Sequence, residues 1–209
     1  MKRYCDLKTQ ITEFYKYIFN VKLKNDFLKK SAIHFNFILL LFVAFILSNC
    51  KEDKPKTLEL GQTFQGGIIF FLDDNGEHGL IAATTDQHTN IQWCTGTCQL
   101  TNANATAPGS GKTNTEKIVQ LQKDINYAAN ICDKLVHNGY DDWYLPSKDE
   151  LNYLFIQKEA GRVGNFLEEE YWSSTESNAD RAWLENMGNG STHAEIKING
   201  CCIRAIRAF

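Results

Sequence analysis

Several features that point to particular functions are scarce or missing in this chain of 209 residues. Residues 1–50 hold 8 of its 22 Lys and Arg and 3 of its 25 Asp and Glu, so the rest holds 14 basic and 22 acidic residues, a net charge near −8. No basic run remains there, which excludes the phosphate backbone of nucleic acids as the expected partner. No CxxC or HxxxH pair completes a four-ligand zinc site, so no metal is expected.

Long hydrophobic runs and catalytic constellations are missing as well. The longest apolar run, Phe37 to Leu47, is about half of the roughly 20 residues that cross a bilayer. A spanning helix would have to include residues 33–36, and it stays an alternative. No Ser-His-Asp arrangement is apparent, and the histidines fall in separate loop or helix contexts. The sequence therefore predicts no catalytic residue and no cofactor.

The apolar run has the layout of a secretory signal. Lys29 and Lys30 precede it, and Leu47-Ser-Asn-Cys50 closes it. A cysteine at the cleavage point predicts a lipid on Cys50, the first residue of a mature bacterial lipoprotein. The domains expected are a signal region (1–49), a lipidated tether (50–57) and one domain (58–209). Residues 1–28 are long for a signal and are open to a second interpretation, a misassigned start. The expected location is the bacterial cell envelope, at the outer membrane or cell surface, with membrane contact through the lipid.

The remaining cysteines fit an oxidising compartment, which permits disulfides. Cys94-Thr-Gly-Thr-Cys98 has a glycine at its centre, and we expect a disulfide that closes this small loop. Half of a zinc site is the alternative. A second disulfide is predicted from Cys132 to one member of the vicinal pair Cys201 and Cys202. The other member is then free or bonded to another chain.

The pattern after the tether predicts one α+β domain without repeats. A hairpin is expected over 66–83, because Asp73-Asp-Asn-Gly76 is a turn sequence between two β-rich runs. A long loop (84–115) and a helix (115–138) follow, the helix from its apolar spacing and its Asn-Gly end. Ser147 and Glu150 form a capping box that begins a second helix. Strands are expected over 182–187, 192–198 and 203–209.

Three motifs in order carry a family resemblance: Gly139-Tyr-Asp-Asp-Trp-Tyr-Leu-Pro-Ser-Lys-Asp-Glu-Leu151, Tyr171-Trp-Ser-Ser-Thr175, and Ile203-Arg-Ala-Ile-Arg207. Together they resemble the Lcl C-terminal domain family, named for the end of a collagen-like bacterial adhesin, over residues 58–209. The resemblance implies a C-type-lectin-like fold, with two helices packed on a twisted, mostly antiparallel sheet. A disulfide from a helix to the last strand, as suggested for Cys132, is a link that this fold often carries.

The resemblance implies a binding function at the cell surface, for a glycan or a protein. The adhesin binds sulfated polysaccharide, whereas this domain is acidic. The sequence also lacks the Glu-Pro-Asn, Gln-Pro-Asp and Trp-Asn-Asp motifs of calcium-dependent lectins, so calcium-mediated sugar binding is not predicted. Lectin-like domains often associate, so a homo-oligomer is a further partner class that the residues leave open.

Ligand contacts are expected where polar and aromatic residues flank a tight turn, because exposed loops on a rigid scaffold carry most binding sites. The segment from Asp180 to His193 has this character, and the ligand-binding candidates are Arg181, Trp183, Asn189, Ser191 and His193. Arg204 and Arg207 have a structural interpretation instead, as partners of Asp141, Asp142 or Glu150.

Two other function classes stay open. The first is an oxidase similar to the formylglycine-generating enzymes, or another thiol enzyme, that uses Cys201 and Cys202. It requires a thiolate whose pKa is lowered by a neighbour such as His193. The second is a structural module of the envelope. The interpretation that we favour is a non-catalytic, lipid-anchored binding protein.

Overall fold

The computed structural model describes residues 57–122 and 126–209. The predictions for the signal region, Cys50 and the tether up to residue 56 lie outside the described residues. Within the described residues, no helix is long and apolar enough to cross a membrane. The chain there forms three helices, α1 (Gly111–Leu121), α2 (Ala128–Asp133) and α3 (Lys148–Glu159). Its nine strands are β1 (Thr63–Phe64), β2 (Gly67–Leu72), β3 (Gly79–Ala82), β4 (His88–Ile91), β5 (Glu170–Glu176), β6 (Arg181–Asn186), β7 (Thr192–Ile196), β8 (Cys201–Ile203) and β9 (Ile206–Ala208).

The first sheet contains both ends of the domain. Its strand order is β1-β2-β3-β9, with all neighbours antiparallel. The hairpin of β2 and β3 is confirmed: Asp73 accepts the N–H of Glu77 on its side chain, at 3.1 Å, and Gly76 has a positive φ of 68°. That backbone conformation is easy for glycine and fixes the hairpin turn.

The second sheet carries the segment with the predicted ligand contacts. Its strand order is β4-β8-β5-β6-β7. The pair β5 and β8 is parallel, and the other neighbours are antiparallel. The predicted last strand is split into β8 and β9, which belong to different sheets. Arg204 lies between β8 and β9, where the chain passes from one sheet to the other, and it is fully buried. The α+β class is thus confirmed.

The prediction of one helix over 115–138 is wrong. The chain is helical over α1 and α2, but Asn126 has a φ of 70° and Tyr127 is extended. The reason lies in tertiary packing: the Tyr127 ring is buried, and its hydroxyl donates to the carbonyl of Gln122 at 3.1 Å. Asn138 and Gly139 do not cap a helix; both have positive φ and turn the chain between His137 and Tyr140.

Helix α3 begins as predicted. The Ser147 hydroxyl accepts the N–H of Glu150 at 3.3 Å, and the Glu150 carboxylate accepts the N–H of Ser147 at 2.7 Å, which completes the capping box. The second carboxylate oxygen of Glu150 accepts the N–H of Gly109 at 2.7 Å. The cap therefore joins the start of α3 to the loop that precedes α1.

Two clusters of buried side chains form the core. The first includes Trp93, Trp143 and Trp172 and lies against α1 and α2. The second includes Tyr171 and the buried leucines of α3, Leu151 and Leu154. Burial of the motif residues Trp143, Leu145 and Leu151 confirms that they are core residues.

Candidate functional site

The structure separates the five predicted ligand contacts. Arg181 and Trp183 lie on one face of β6, because alternate residues of a strand point to the same side. His193 is opposite Leu184 in the β6–β7 register, so it points to the other face. Asn189 and Ser191 form the hairpin turn, where the Asn189 side chain accepts the N–H of Ser191 at 2.9 Å. A single site made of all five is not present.

A different set of residues meets around Trp183. Helix α3 packs on the face of β6 that carries Trp183. The ammonium of Lys148 lies 4.3 Å from the centre of the half-buried Trp183 ring. One turn further, Asn152 donates its side-chain N–H to Oε1 of Glu185 at 2.9 Å. We call Lys148, Asn152, Arg181, Trp183 and Glu185 the Trp183 surface.

Glu185 has an unusual environment for a carboxyl group. Its exposed fraction is 1%, and its Oε2 atom has no hydrogen-bond partner among the described residues. Burial raises the pKa of Glu185 to about 7, although the Asn152 hydrogen bond and the charge of Lys148 act in the opposite direction. The folded domain therefore binds this proton more tightly than the unfolded chain does. Glu185 thus makes the domain less stable as the pH rises from about 4.5 to about 7.

Sequence reasoning missed Lys148, Asn152 and Glu185. Part of the signal was present. The capping box sets the start of α3, so Lys148 and Asn152, four residues apart, share a helix face. Strand alternation puts Glu185 on the face of Trp183. Nothing local indicated that this helix face packs on this strand face.

The three sequence motifs interlock beside this surface. The N–H of Ser174 donates to the carbonyl of Pro146 at 2.7 Å, and the Thr175 hydroxyl accepts the N–H of Lys148 at 2.9 Å. Tyr144 and Ile206 exchange two backbone hydrogen bonds, of 2.8 and 2.9 Å. The motifs thus hold α3, β5 and β9 in one arrangement.

The motif arginines are engaged within the fold. Arg207 donates to both carboxylate oxygens of Asp142, at 2.6 and 2.9 Å, which confirms one predicted pairing. Arg204 pairs instead with Asp86, at 2.8 Å, and also donates to three backbone carbonyls. A planar guanidinium group that donates several hydrogen bonds within the protein holds the surrounding chain segments in place.

The segment that contains these three motifs matches a known protein family. The profile described as the Lcl C-terminal domain matches residues 82–207, more than half of the chain. The chain belongs to the Lcl C-terminal domain family. All three motifs lie within the matched residues, so the resemblance that they carry is confirmed.

Other comparisons give weaker likenesses to this Lcl C-terminal domain. A fimbrial protein from Bacteroides ovatus, known from its crystal structure, aligns with a TM-score of 0.48 and 15% sequence identity. The alignment covers 75% of this chain and 45% of that chain, so this chain spans less than half of the fimbrial protein. No curated protein matches the sequence.

The cysteines of the Lcl C-terminal domain follow one prediction and contradict another. The disulfide between Cys94 and Cys98 is confirmed. The disulfide predicted from Cys132 to Cys202, or to Cys201, is wrong, because all three are free thiols. Cys132 and Cys202 belong to different core clusters, and the Cys202 thiol donates to the carbonyl of Thr89 at 3.4 Å.

These thiols have the properties of core residues. Burial raises the pKa of Cys201 to about 12 and that of Cys202 to about 11. Burial also raises the pKa of Cys132. A thiolate nucleophile requires a lowered pKa, so this environment does not favour the thiol-enzyme alternative.

His193 lies between two carboxylates on the opposite face of the sheet. Its Nε2 atom is 3.6 Å from Glu170 and 3.7 Å from Glu195, so it forms ion pairs when protonated. Within residues 57–122 and 126–209, no group of three or more His, Cys, Asp or Glu side chains is placed to hold a metal ion.

Proposed function

We propose that this chain is a lipid-anchored protein of the bacterial cell envelope that binds a glycan or a protein through the Trp183 surface, without catalysis. The anchor is a lipid on Cys50, the tether is residues 50–57, and residues 58–209 are the binding domain. The signal layout around Phe37 to Leu47 supports export. The acidic balance after residue 50 supports membrane contact through the lipid alone.

The C-type-lectin-like fold belongs to the same proposal. The first and last strands of the domain, β1 and β9, lie in one antiparallel sheet, so the two ends of the domain lie in one layer. Helices pack against a second, largely antiparallel sheet. Both features are expected of that fold.

One observation carries the binding proposal. The half-buried ring of Trp183 lies on the same strand face as Glu185, a buried carboxyl group whose Oε2 has no hydrogen-bond partner among the described residues, where α3 packs on β6. Binding sites combine apolar and aromatic surface with a few placed polar groups. Buried polar atoms of folded proteins are otherwise nearly all hydrogen-bonded, so a ligand group is the expected partner for Oε2 of Glu185.

The lipid anchor is tested by replacing Cys50. In the bacterium that makes the protein, we expect the natural chain to incorporate labelled palmitate and to start at Cys50 by intact mass. Cys50→Ala should remove both the label and the processing, while Cys5→Ala, in the same presequence, should leave a mature product of unchanged mass. Palmitate on the Cys50→Ala protein, or an unprocessed natural chain, would contradict the anchor.

The binding surface is tested by replacing Trp183. We expect the detergent-extracted protein to bind a component of a glycan array or of an envelope fraction from cells that lack it. Trp183→Ala should weaken that binding at least about tenfold, since stacking on an aromatic ring contributes roughly 1.5 kcal/mol or more. Ile198→Ala removes another apolar side chain, exposed by 52%, and should bind like the natural protein. Equal losses in both variants would place the binding elsewhere.

A further inference from the structure

The chemistry of the Trp183 surface restricts the class of ligand. Oε2 of Glu185 is a buried acceptor without a hydrogen-bond partner among the described residues, and Trp183 offers one half-buried apolar ring, with no second aromatic side chain in the surface so defined. Lys148 and Arg181 supply N–H donors at its edges, although Arg181 already donates to the carbonyl of Ala194 at 2.9 Å. A ligand that fits has an apolar face with hydroxyl groups around its rim.

We infer that the ligand is a neutral sugar whose ring lies on Trp183 in place of the Lys148 ammonium, and that one of its hydroxyls donates to the Glu185 carboxylate. The inference rests on the proposed function of the Trp183 surface as a binding site. It adds the class of ligand and a dependence on the charge of Glu185.

Displacement of Lys148 breaks one contact with the ring. Its side chain is half-buried, and its ammonium makes a cation–π contact with the ring centre at 4.3 Å, a contact that is weak where water reaches the cation. The backbone below stays fixed, because the N–H of Lys148 donates to the Thr175 hydroxyl and Ser147 caps the helix. Rotation of one flexible side chain then uncovers the ring without movement of α3.

The charged state of Glu185 follows from the groups that face it. From α3 it faces Lys148 and the neutral Asn152, and Arg181 lies on the same face of its own strand. The register places Tyr171 of β5 and Thr192 of β7 directly opposite. Thr192 does not titrate, and burial raises the pKa of Tyr171, so neither carries charge near neutrality.

Binding is therefore coupled to loss of one proton. The carboxylate is the form that accepts a strong hydrogen bond from a hydroxyl. Below about pH 7 the free protein holds the proton on Glu185 and must release it on binding. The association constant then falls about tenfold for each pH unit below 7, and it is constant above, where Glu185 is already ionised.

The test follows the indole N–H of Trp183 by NMR in the full chain in detergent micelles. The probes are the methyl glycosides of glucose, galactose, mannose and N-acetylglucosamine, each titrated at about pH 6 and about pH 8. Trp183→Phe assigns the signal among the four tryptophans. Glu185→Gln keeps the shape and an amide oxygen without titration, and Glu169→Gln is the matched change at an exposed carboxylate.

We expect at least one glycoside to shift the Trp183 signal and to bind about tenfold more tightly at the higher pH. Glu185→Gln should bind with no pH dependence, and Glu169→Gln should behave like the natural chain. Equal affinity at both pH values, or an unchanged pH dependence in Glu185→Gln, would overturn the inference. If no glycoside shifts the signal but Trp183→Ala still abolishes binding to envelope material, the sugar inference fails and the proposed function stands.

Discussion

At the scale of single residues, the interior of the domain contains a buried ion pair, Lys197 with Glu176. Lys197 has no exposed surface, and its ammonium lies 2.6 Å from the Glu176 carboxylate and 4.5 Å from the centre of the Trp93 ring. Glu176 also accepts the backbone N–H groups of Thr101 and Asn102. Burial lowers the pKa of Lys197, and the contact with Glu176 opposes that shift. The pair joins the long loop before α1 to the end of β5.

Loss of one member of this pair should be costly. We expect Lys197→Met to lower the free energy of unfolding by about 3–5 kcal/mol, because it leaves a buried carboxylate without its partner. The double variant Lys197→Met with Glu176→Gln should recover part of the loss, since no unpaired charge remains. Urea denaturation measures both. A Lys197→Met protein within about 1 kcal/mol of the natural one would show that Glu176 does not need the ammonium.

At the scale of elements, the stability of α3 depends on its N-cap residue, Ser147. The Ser147 hydroxyl accepts the N–H of Glu150 and donates to the carbonyl of Thr106 at 2.8 Å. Ser147→Ala removes the cap and one of two hydrogen bonds to that carbonyl, which also accepts the N–H of Asp149 at 3.0 Å, so a loss of about 1–2 kcal/mol of unfolding free energy is expected. Ser110 precedes α1 without a side-chain cap. Ser110→Ala should therefore lower the free energy of unfolding by only a few tenths of the loss expected for Ser147→Ala.

Thermal unfolding of the two serine variants compares the caps under one condition. A larger loss of melting temperature in Ser110→Ala than in Ser147→Ala would contradict the assignment. The Ser147→Ala protein is also informative about binding, because Lys148 and Asn152 hold their places only if the start of α3 does. The first turn of one helix thus positions half of the Trp183 surface.

At the scale of the whole molecule, the features predictable from sequence were those set by neighbours in the chain. The β2–β3 hairpin follows from four turn residues, the capping box from Ser147 and Glu150, and the first disulfide from a glycine between two cysteines. Each is decided within a few residues. The pattern of the three motifs was also sufficient to identify the family.

Features set by distant parts of the chain were not predictable. Asn152 and Glu185 are 33 residues apart, and Arg204 and Asp86 are 118 apart. Periodicity alone supported a helix across Asn126, but the burial of Tyr127 required a break there. The same limit applied to Cys132, which the topology places away from Cys202. The packing of the whole domain determines which faces of its helices and strands are in contact, so these contacts cannot be predicted from any single segment.

The three enclosed thiols give the molecule a chemical record of its own opening. A protonated, buried thiol reacts with an alkylating reagent only after the structure around it has opened. The rate of labelling equals the opening rate when the reagent reacts faster than the structure recloses, and is otherwise proportional to the population of the open form. Cys132 belongs to one core cluster and Cys202 to the other. Labelling at the two positions therefore distinguishes an opening of one half of the core from the unfolding of the whole domain.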